Sequence, residues 1–239
     1  ISSLTTDKLH SKNILIKIVN TILDNFPNFK VIIMVRKKGV IKDERVSEFE
    51  FPYYEKGWIY RIFFFYFGLR NLSKKLNADI WLSMDSITPW VTAKNQYSYF
   101  HKPAPFYNAS IKDMKYDFEF YLYSKIYSFF IRFLAKKNKA VIVQSDWMRN
   151  IFVKKYNINS VIVANLEYVP PSNKIERKKN KFKNFFYPSL PHVYKNFELL
   201  GECAKILDQD VGWDGKIIFT INVNENKYSK NFYKKYKKC

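Results

Sequence analysis

Apolar residues recur along this chain with two periods, and the periods alternate. From Lys8 to Phe26, Leu9, Ile14, Leu15, Ile18, Val19, Ile22 and Leu23 share one face at helical spacing, and Pro27 stops the run. Lys30–Val35 is a short, unbroken apolar run, which predicts a buried strand. A basic loop with Gly39 follows, then an extended piece over Phe49–Tyr54 and an aromatic helix over Trp58–Leu76. Further strands are expected at Ala78–Ser83, Gln96–Phe100, Ala140–Gln144 and Val161–Val163. Between them the periodicity predicts an irregular or short helical piece at Thr88–Ala93, a long aromatic helix over Tyr116–Asn138, and a helix over Asp146–Tyr156 with Ser145 as its cap. Strands that alternate with helices in this way argue for an α/β fold, a parallel sheet wrapped on both faces.

The stretch Pro170–Lys181 is polar and dense in charge, and it opens on two prolines; it reads as a linker. The domains expected are therefore 1–170 and 182–239, joined by 171–181. Beyond the linker the pattern restarts. Phe185–Tyr187 reads as a buried strand, and Pro188 and Pro191 end it in a loop that carries His192 and Lys195. Asn196 is placed to cap a helix marked by Phe197, Leu200, Ala204 and Leu207. A cationic loop before a helix start suits a phosphate, because unsatisfied N–H groups and the positive end of the helix dipole meet there. Lys216–Ile221 is a further strand, and Asn222–Cys239 shows little pattern.

Composition narrows the classes. Hydrophobic residues make up 47% of the 239, enough for a packed core, so this is not a disordered chain. A net charge of +20 with 19% aromatics suits nucleic acid or an anionic membrane surface. The joint excess of Lys, Asn, Ile, Phe and Tyr is equally what an AT-rich coding sequence produces. No nucleic-acid motif is present, and the aromatics lie in apolar strands and helices, so no nucleic-acid partner is expected. Cys203 and Cys239 form no spaced pair, which argues against a disulfide framework or zinc site and for a reducing cytoplasm. The most apolar stretch, Trp58–Leu69, is too short to cross about 30 Å of hydrocarbon and is broken by Arg61.

Four stretches, in order, resemble the bacterial family 4 glycosyltransferases of the GT-B fold. Gln96–Tyr107, reading QYSYFHKPAPFY, is similar to the strand and loop that carry an acceptor-side histidine in that family. Ala140–Arg149, reading AVIVQSDWMR, resembles the family's IVQT-x-WM strand and helix start. Val161–Pro170 resembles the end of the first domain, and Phe185–Leu207 the opening of the donor-binding domain. The resemblance implies a Rossmann-like acceptor-side domain followed by the start of a second Rossmann-like domain. It implies retaining transfer of a sugar from a nucleotide-diphosphate sugar to a lipid-linked cell-surface polysaccharide, such as lipopolysaccharide, at the inner face of the membrane. It gives His101 the catalytic position and Lys195, with His192 and Asn196, the donor diphosphate, with no metal or cofactor required. By spacing alone His101 reads as a loop histidine satisfied by backbone; Trp58–Leu69, with Arg61, Arg70, Lys74 and Lys75 near it, reads first as a core helix and alternatively as a face resting on the inner leaflet.

The chain also departs from the family pattern. It has no Gly-x-Gly loop, the family's first strand is absent, and the late pair of glutamates separated by seven residues is missing. The expectation is a fragment lacking both ends and inactive by itself. A non-catalytic remnant, or a basic nucleic-acid- or membrane-binding protein, are the alternatives. Asp208 and Asp210 match Asp-x-Asp, but their surroundings read as solvated surface.

Overall fold

The computed structural model describes residues 1–4, 9–51, 58–164, 184–209 and 213–237. The chain divides into two compact units, residues 1–103 with 127–167, and residues 104–126 with 168–239. The expected linker, 171–181, lies outside the described residues.

In chain order the elements are α1 (Leu9–Asn25), β1 (Val31–Val35), β2 (Val46–Glu50), α2 (Trp58–Phe63), α3 (Leu69–Leu76), β3 (Ile80–Ser83), β4 (Asn95–Phe100), α4 (Ile111–Tyr116), α5 (Phe118–Leu134), β5 (Ala140–Val143), α6 (Asp146–Tyr156) and β6 (Val161–Val163). Those after the linker are β7 (Asn184–Tyr187), α7 (Phe197–Asp208), β8 (Lys216–Phe219) and α8 (Lys227–Tyr236).

Every strand pairing of the first unit is parallel: β1 with β2, and β3, β4, β5 and β6 side by side. Residues 1–4 join the two blocks. Ser2 bridges Met34 on one side and Ser83 on the other. The Ser2 and Ser3 N–H groups donate to Leu82 O at 2.9 Å and Met34 O at 3.0 Å. In return Met34 N–H reaches Ile1 O at 2.9 Å and Met84 N–H reaches Ser2 O at 2.8 Å. The order is therefore β2, β1, residues 1–4, β3, β4, β5, β6, a doubly wound α/β arrangement compatible with a Rossmann-like fold. Residues 1–4, which were not read from the sequence as part of the sheet, fill its middle position and are too short to show a periodicity.

Side chains alternate across the sheet, and each face has its own helices. Val31, Ile33 and Val35 of β1 and Tyr99 of β4 pack with Leu15, Val19 and Leu23 of α1. Met34 and Trp81 point the other way, into a cluster with Phe65, Tyr66 and Leu69. Phe130 and Leu134, on the second half of α5, close that cluster, with the Tyr66 and Phe130 rings stacked at 3.9 Å. Phe100, opposite Tyr99, meets Phe152 of α6 edge-on at 4.9 Å.

Three local departures from the periodicity have visible causes. The aromatic helix over Trp58–Leu76 is interrupted by a wide π turn at Phe64–Gly68. Gly68 permits it, since a Cβ there would lie 2.5 Å from the Phe64 ring. The helix expected over Tyr116–Asn138 is α5, which ends in a 3₁₀ turn at Ala135–Lys137 and is preceded by the short α4. Asp117 breaks the backbone at φ −148° and ψ 87° and caps α5 by accepting from Phe120 N–H at 2.8 Å. The extended piece expected at Phe49–Tyr54 is β2 at Val46–Glu50, with 52–57 outside the described residues. It is fixed there because the Glu48 carboxylate accepts from the N–H groups of Gly39, Val40 and Ile41.

The second unit pairs β7 with β8 in parallel and packs α7 and α8 against them. Its core is almost entirely aromatic: Phe197, Tyr228, Phe232 and Tyr236 with Val193, flanked by Tyr107, Tyr116 and Phe120. Those last three explain why residues 104–126 belong with this unit rather than with the first, where the 1–170 boundary would place them. Two expectations are corrected. Residues 222–239 were expected to lack pattern, yet Lys227–Tyr236 is a helix, started by an Asn226–Ser229 capping box. Phe185 and Phe186 are not buried; they are 51% and 62% exposed, although they point to opposite faces of this two-stranded sheet. Among the described residues no helix is long and apolar enough to cross a membrane.

Candidate functional site

In the first unit the polar side chains gather at the carboxyl end of the sheet, beside the point where the chain crosses over residues 1–4. Open parallel sheets bind ligands at such a point, because the loops diverge there and leave a crevice. The loop after β3, Met84–Thr88, turns sharply. Ser83 Oγ donates to Ile87 O at 2.9 Å, and Ser86 takes the left-handed conformation at φ +57°. A serine there is strained, and the structure holds it by hydrogen bonds. Ser86 Oγ accepts from the backbone N–H groups of His101 and Lys102, both at 3.1 Å, and lies 3.2 Å from His101 Nδ1.

The geometry fixes the imidazole. A hydroxyl oxygen has two lone pairs, and the two N–H groups use both. The serine hydrogen is then left to donate to Nδ1, so Nε2 carries the proton of the neutral ring. The ring also stacks on Tyr99 at 5.7 Å, and the Tyr99 hydroxyl accepts from Gln144 at 2.7 Å. Burial raises the Tyr99 pKa, which keeps the phenol neutral. His101 is therefore a half-buried, oriented hydrogen-bond donor at the end of β4.

A buried polar network supports this loop from behind. Gln96 donates to Pro89 O at 2.7 Å, Asn138 donates to Thr88 Oγ1 at 3.0 Å, and Ser98 donates to Asn138 Oδ1 at 3.1 Å. Gln96, Ser98, Thr88 and Asn138 are all buried, so each bond replaces water that is no longer available. Asp85 is buried in the same loop, and Arg36, at the end of β1, donates to Leu4 O at 3.0 Å. The sequence marked His101; Ser86, Asp85 and Arg36 were missed. A positive φ at serine leaves no periodic signal, and the crossover itself was hidden because residues 1–4 were not read as part of the sheet.

The second unit holds the other expected group. Val193–Lys195 is a 3₁₀ turn and Asn196 takes the left-handed conformation at φ +50°, immediately before α7. Asn196 stands at the cap position, but its side chain makes no capping bond, a correction to the role expected of it. The left-handed backbone, which Asn tolerates, turns its side chain away. His192 stacks flat on Tyr194, ring centroids 5.2 Å apart and 9° between planes, and Lys195 Nζ lies 5.6 Å from the same ring. Tyr187 donates to Lys195 O at 2.9 Å, and Asn226 donates to Pro191 O at 2.9 Å, so the loop backbone is held at both ends. Lys195 and Asn196 are exposed. The structure thus brings His192, Lys195 and Asn196 together in one loop, while His101 belongs to the other unit. Asp208 ends α7, and Asp210 lies outside the described residues.

No family model, no curated protein and no solved structure matches this chain.

The Ser86 clamp can be tested by two substitutions read together. Ser86→Ala keeps the strained φ and strands two N–H groups, and is expected to cost ~1–3 kcal/mol in urea unfolding. Ser86→Gly loses the same bonds but relieves the left-handed strain, so it is expected to be the milder change by up to ~1 kcal/mol. If glycine is as damaging as alanine, the strain assigned to Ser86 is wrong.

Proposed function

We propose that this chain is part of a sugar transferase of the GT-B type, resembling the family 4 glycosyltransferases. In this reading the first unit faces the acceptor and the loop before α7 faces a nucleotide-diphosphate sugar. The observation that carries the reading is the oriented His101 at the carboxyl end of a doubly wound parallel sheet, clamped by Ser86 and backed by a buried polar network. A solvated loop histidine has no need of a strained serine or of that support. The exposed Lys195, set before a helix start with His192 beside it, is the second support.

The chemistry assigned to these groups follows from their types. Transfer breaks the bond between the sugar's anomeric carbon and the diphosphate oxygen, and the acceptor oxygen forms the new bond on the same face. The acceptor's proton leaves with the diphosphate, which gains negative charge as the bond breaks. An ammonium and backbone N–H groups at that diphosphate stabilise the charge as it develops. Lys195 and the start of α7 supply both. His101, with its proton on Nε2, donates a hydrogen bond to a sugar hydroxyl or phosphate oxygen and leaves proton removal to another group. The acceptor in this reading is a lipid-linked saccharide of a cell-surface polysaccharide.

Calorimetry with uridine, guanosine and adenosine diphosphates on the 239-residue chain tests the donor assignment. At least one is expected to bind, and Lys195→Ala to weaken it by ~1.5–3 kcal/mol, roughly ten- to a hundredfold, without changing the unfolding midpoint. Absence of binding by all three, or an affinity untouched by Lys195→Ala, would leave Lys195 a surface residue and remove the donor side of the proposal.

A further inference from the structure

Two pairs of phenylalanine rings stand on the surface of the first unit. Phe63 and Phe67, at the π turn, are 62% and 50% exposed, and their rings contact at 4.8 Å. Phe129 and Phe133, on α5, are 59% and 57% exposed, with rings 4.7 Å apart. The pairs sit on neighbouring helices. Tyr66, adjacent to Phe67, stacks at 3.9 Å on Phe130, adjacent to Phe129. Trp90 also links them: Phe67 meets its edge at 6.4 Å, Arg70 of α3 lies over its face at 4.0 Å, and Lys137, in the turn just past α5, is 4.7 Å from its centre. Trp90 therefore marks one end of a surface that carries both phenylalanine pairs. Single exposed apolar residues are ordinary, but four phenylalanines on two packed helices are not.

The charge around them has one sign. Residues 58–76 and 127–139 contain eight Lys and Arg and no Asp or Glu. Arg70 and Lys74 continue the helical stripe from Phe67, at i+3 and i+7, and Lys136 and Lys137 continue the stripe from Phe133. Lys74, Lys75, Arg132, Lys136 and Lys137 are exposed. Phenylalanine has no group to leave unsatisfied in hydrocarbon, and the long basic side chains reach outward from an apolar bed toward anionic headgroups. The π turn serves this arrangement. It lets one short helical segment place Phe65, Tyr66 and Leu69 in the core while Phe63 and Phe67 face out.

We infer that this face docks on the surface of an anionic lipid bilayer, with the phenylalanine pairs at the depth of the acyl boundary and the lysines and arginines among the headgroups. The inference is independent of the sugar-transfer reading, since it uses none of His101, His192, Lys195 or Asn196. RNA fits the same charge less well. The rings stack on one another in pairs, rather than standing apart to receive bases between them.

Vesicle flotation tests it with the whole chain. Vesicles of phosphatidylcholine with roughly a third phosphatidylglycerol are expected to carry the protein, and pure phosphatidylcholine vesicles to carry far less, with the difference shrinking as salt rises. The combined change Phe63→Ser, Phe67→Ser, Phe129→Ser and Phe133→Ser, on side chains that already face solvent, is expected to keep the circular dichroism spectrum and lower the bound fraction at least about tenfold. Lys74→Glu with Lys136→Glu and Lys137→Glu should remove the preference for anionic vesicles. Phe185→Ser with Phe186→Ser, exposed rings on the second unit, should leave binding as it was. The inference is overturned if the chain ignores anionic vesicles or binds neutral ones equally, or if the Phe185 and Phe186 control loses as much. It is also overturned if the four-serine variant retains binding, or changes instead the protein's sedimentation as a dimer or its retention of an RNA oligomer.

Discussion

The hydrogen bonds that thread residues 1–4 between β1 and β3 are the constraint on which the first unit depends. β1 and β2 form one parallel pair and β3 to β6 form another block, and among the described residues the backbone hydrogen bonds that link the blocks run through Ile1, Ser2 and Ser3. Four backbone bonds of 2.8 to 3.0 Å join the blocks across a stretch of four residues. Removing such a strand would expose unpaired N–H and C=O groups on both flanks, each needing water inside a double layer of helices. Leu4 is fully buried in the cluster with Met34, Trp81 and Ile87, so the apolar packing of one face depends on the same stretch.

The site follows from that threading. A parallel sheet reverses its winding where the first strand sits, and the loops on either side of it part company. β1 leaves in one direction, carrying Arg36; β3 leaves in the other, carrying Asp85 and Ser86; and β4 delivers His101 against Ser86. Strain is concentrated at one residue of the loop, Ser86, and the surroundings over-determine it. Ser83 ties the loop to itself, Gln96 and Asn138 hold Pro89 and Thr88, and two backbone N–H groups hold Ser86. Such an arrangement orients an imidazole before any ligand arrives, and preorganised groups of this kind stabilise developing charge without rearrangement.

What was legible in the sequence was what periodicity can carry. β1 and β5 are apolar runs buried on both faces, β6 is a β-branched run at the sheet edge with Ile162 exposed, and all three stand within a residue of where the pattern put them. α1 and α6 were equally plain because their apolar stripes are long enough to count. Aromatic segments were read correctly as helices but not in detail. A run of phenylalanines is apolar all round, so nothing in it announced the π turn or said which rings face solvent. α8 was hidden for the opposite reason. Tyr228, Phe232 and Tyr236 recur four apart, but the Asn and Lys between them masked the stripe. Phe185 and Phe186 read as core because their type is usually buried, whereas burial depends on what covers a strand, and here both rings are at least half exposed. Of the site, residue type revealed His101 and Lys195. Ser86 was beyond reach, since its role lies in a backbone conformation and in bonds to residues fifteen and sixteen positions away.

Native-state hydrogen exchange puts the central claim most directly at risk. If residues 1–4 hold the two strand blocks together, the Met34 and Met84 amides, bonded to Ile1 O and Ser2 O, should exchange only through opening of the whole first unit. Their protection should then equal that of Ile33 in the middle of β1 and fall with it in denaturant. Exchange of Met34 and Met84 at the rate of a fraying end, with Ile33 still protected, would show that the sheet does not depend on this stretch, and the account built on it would fail.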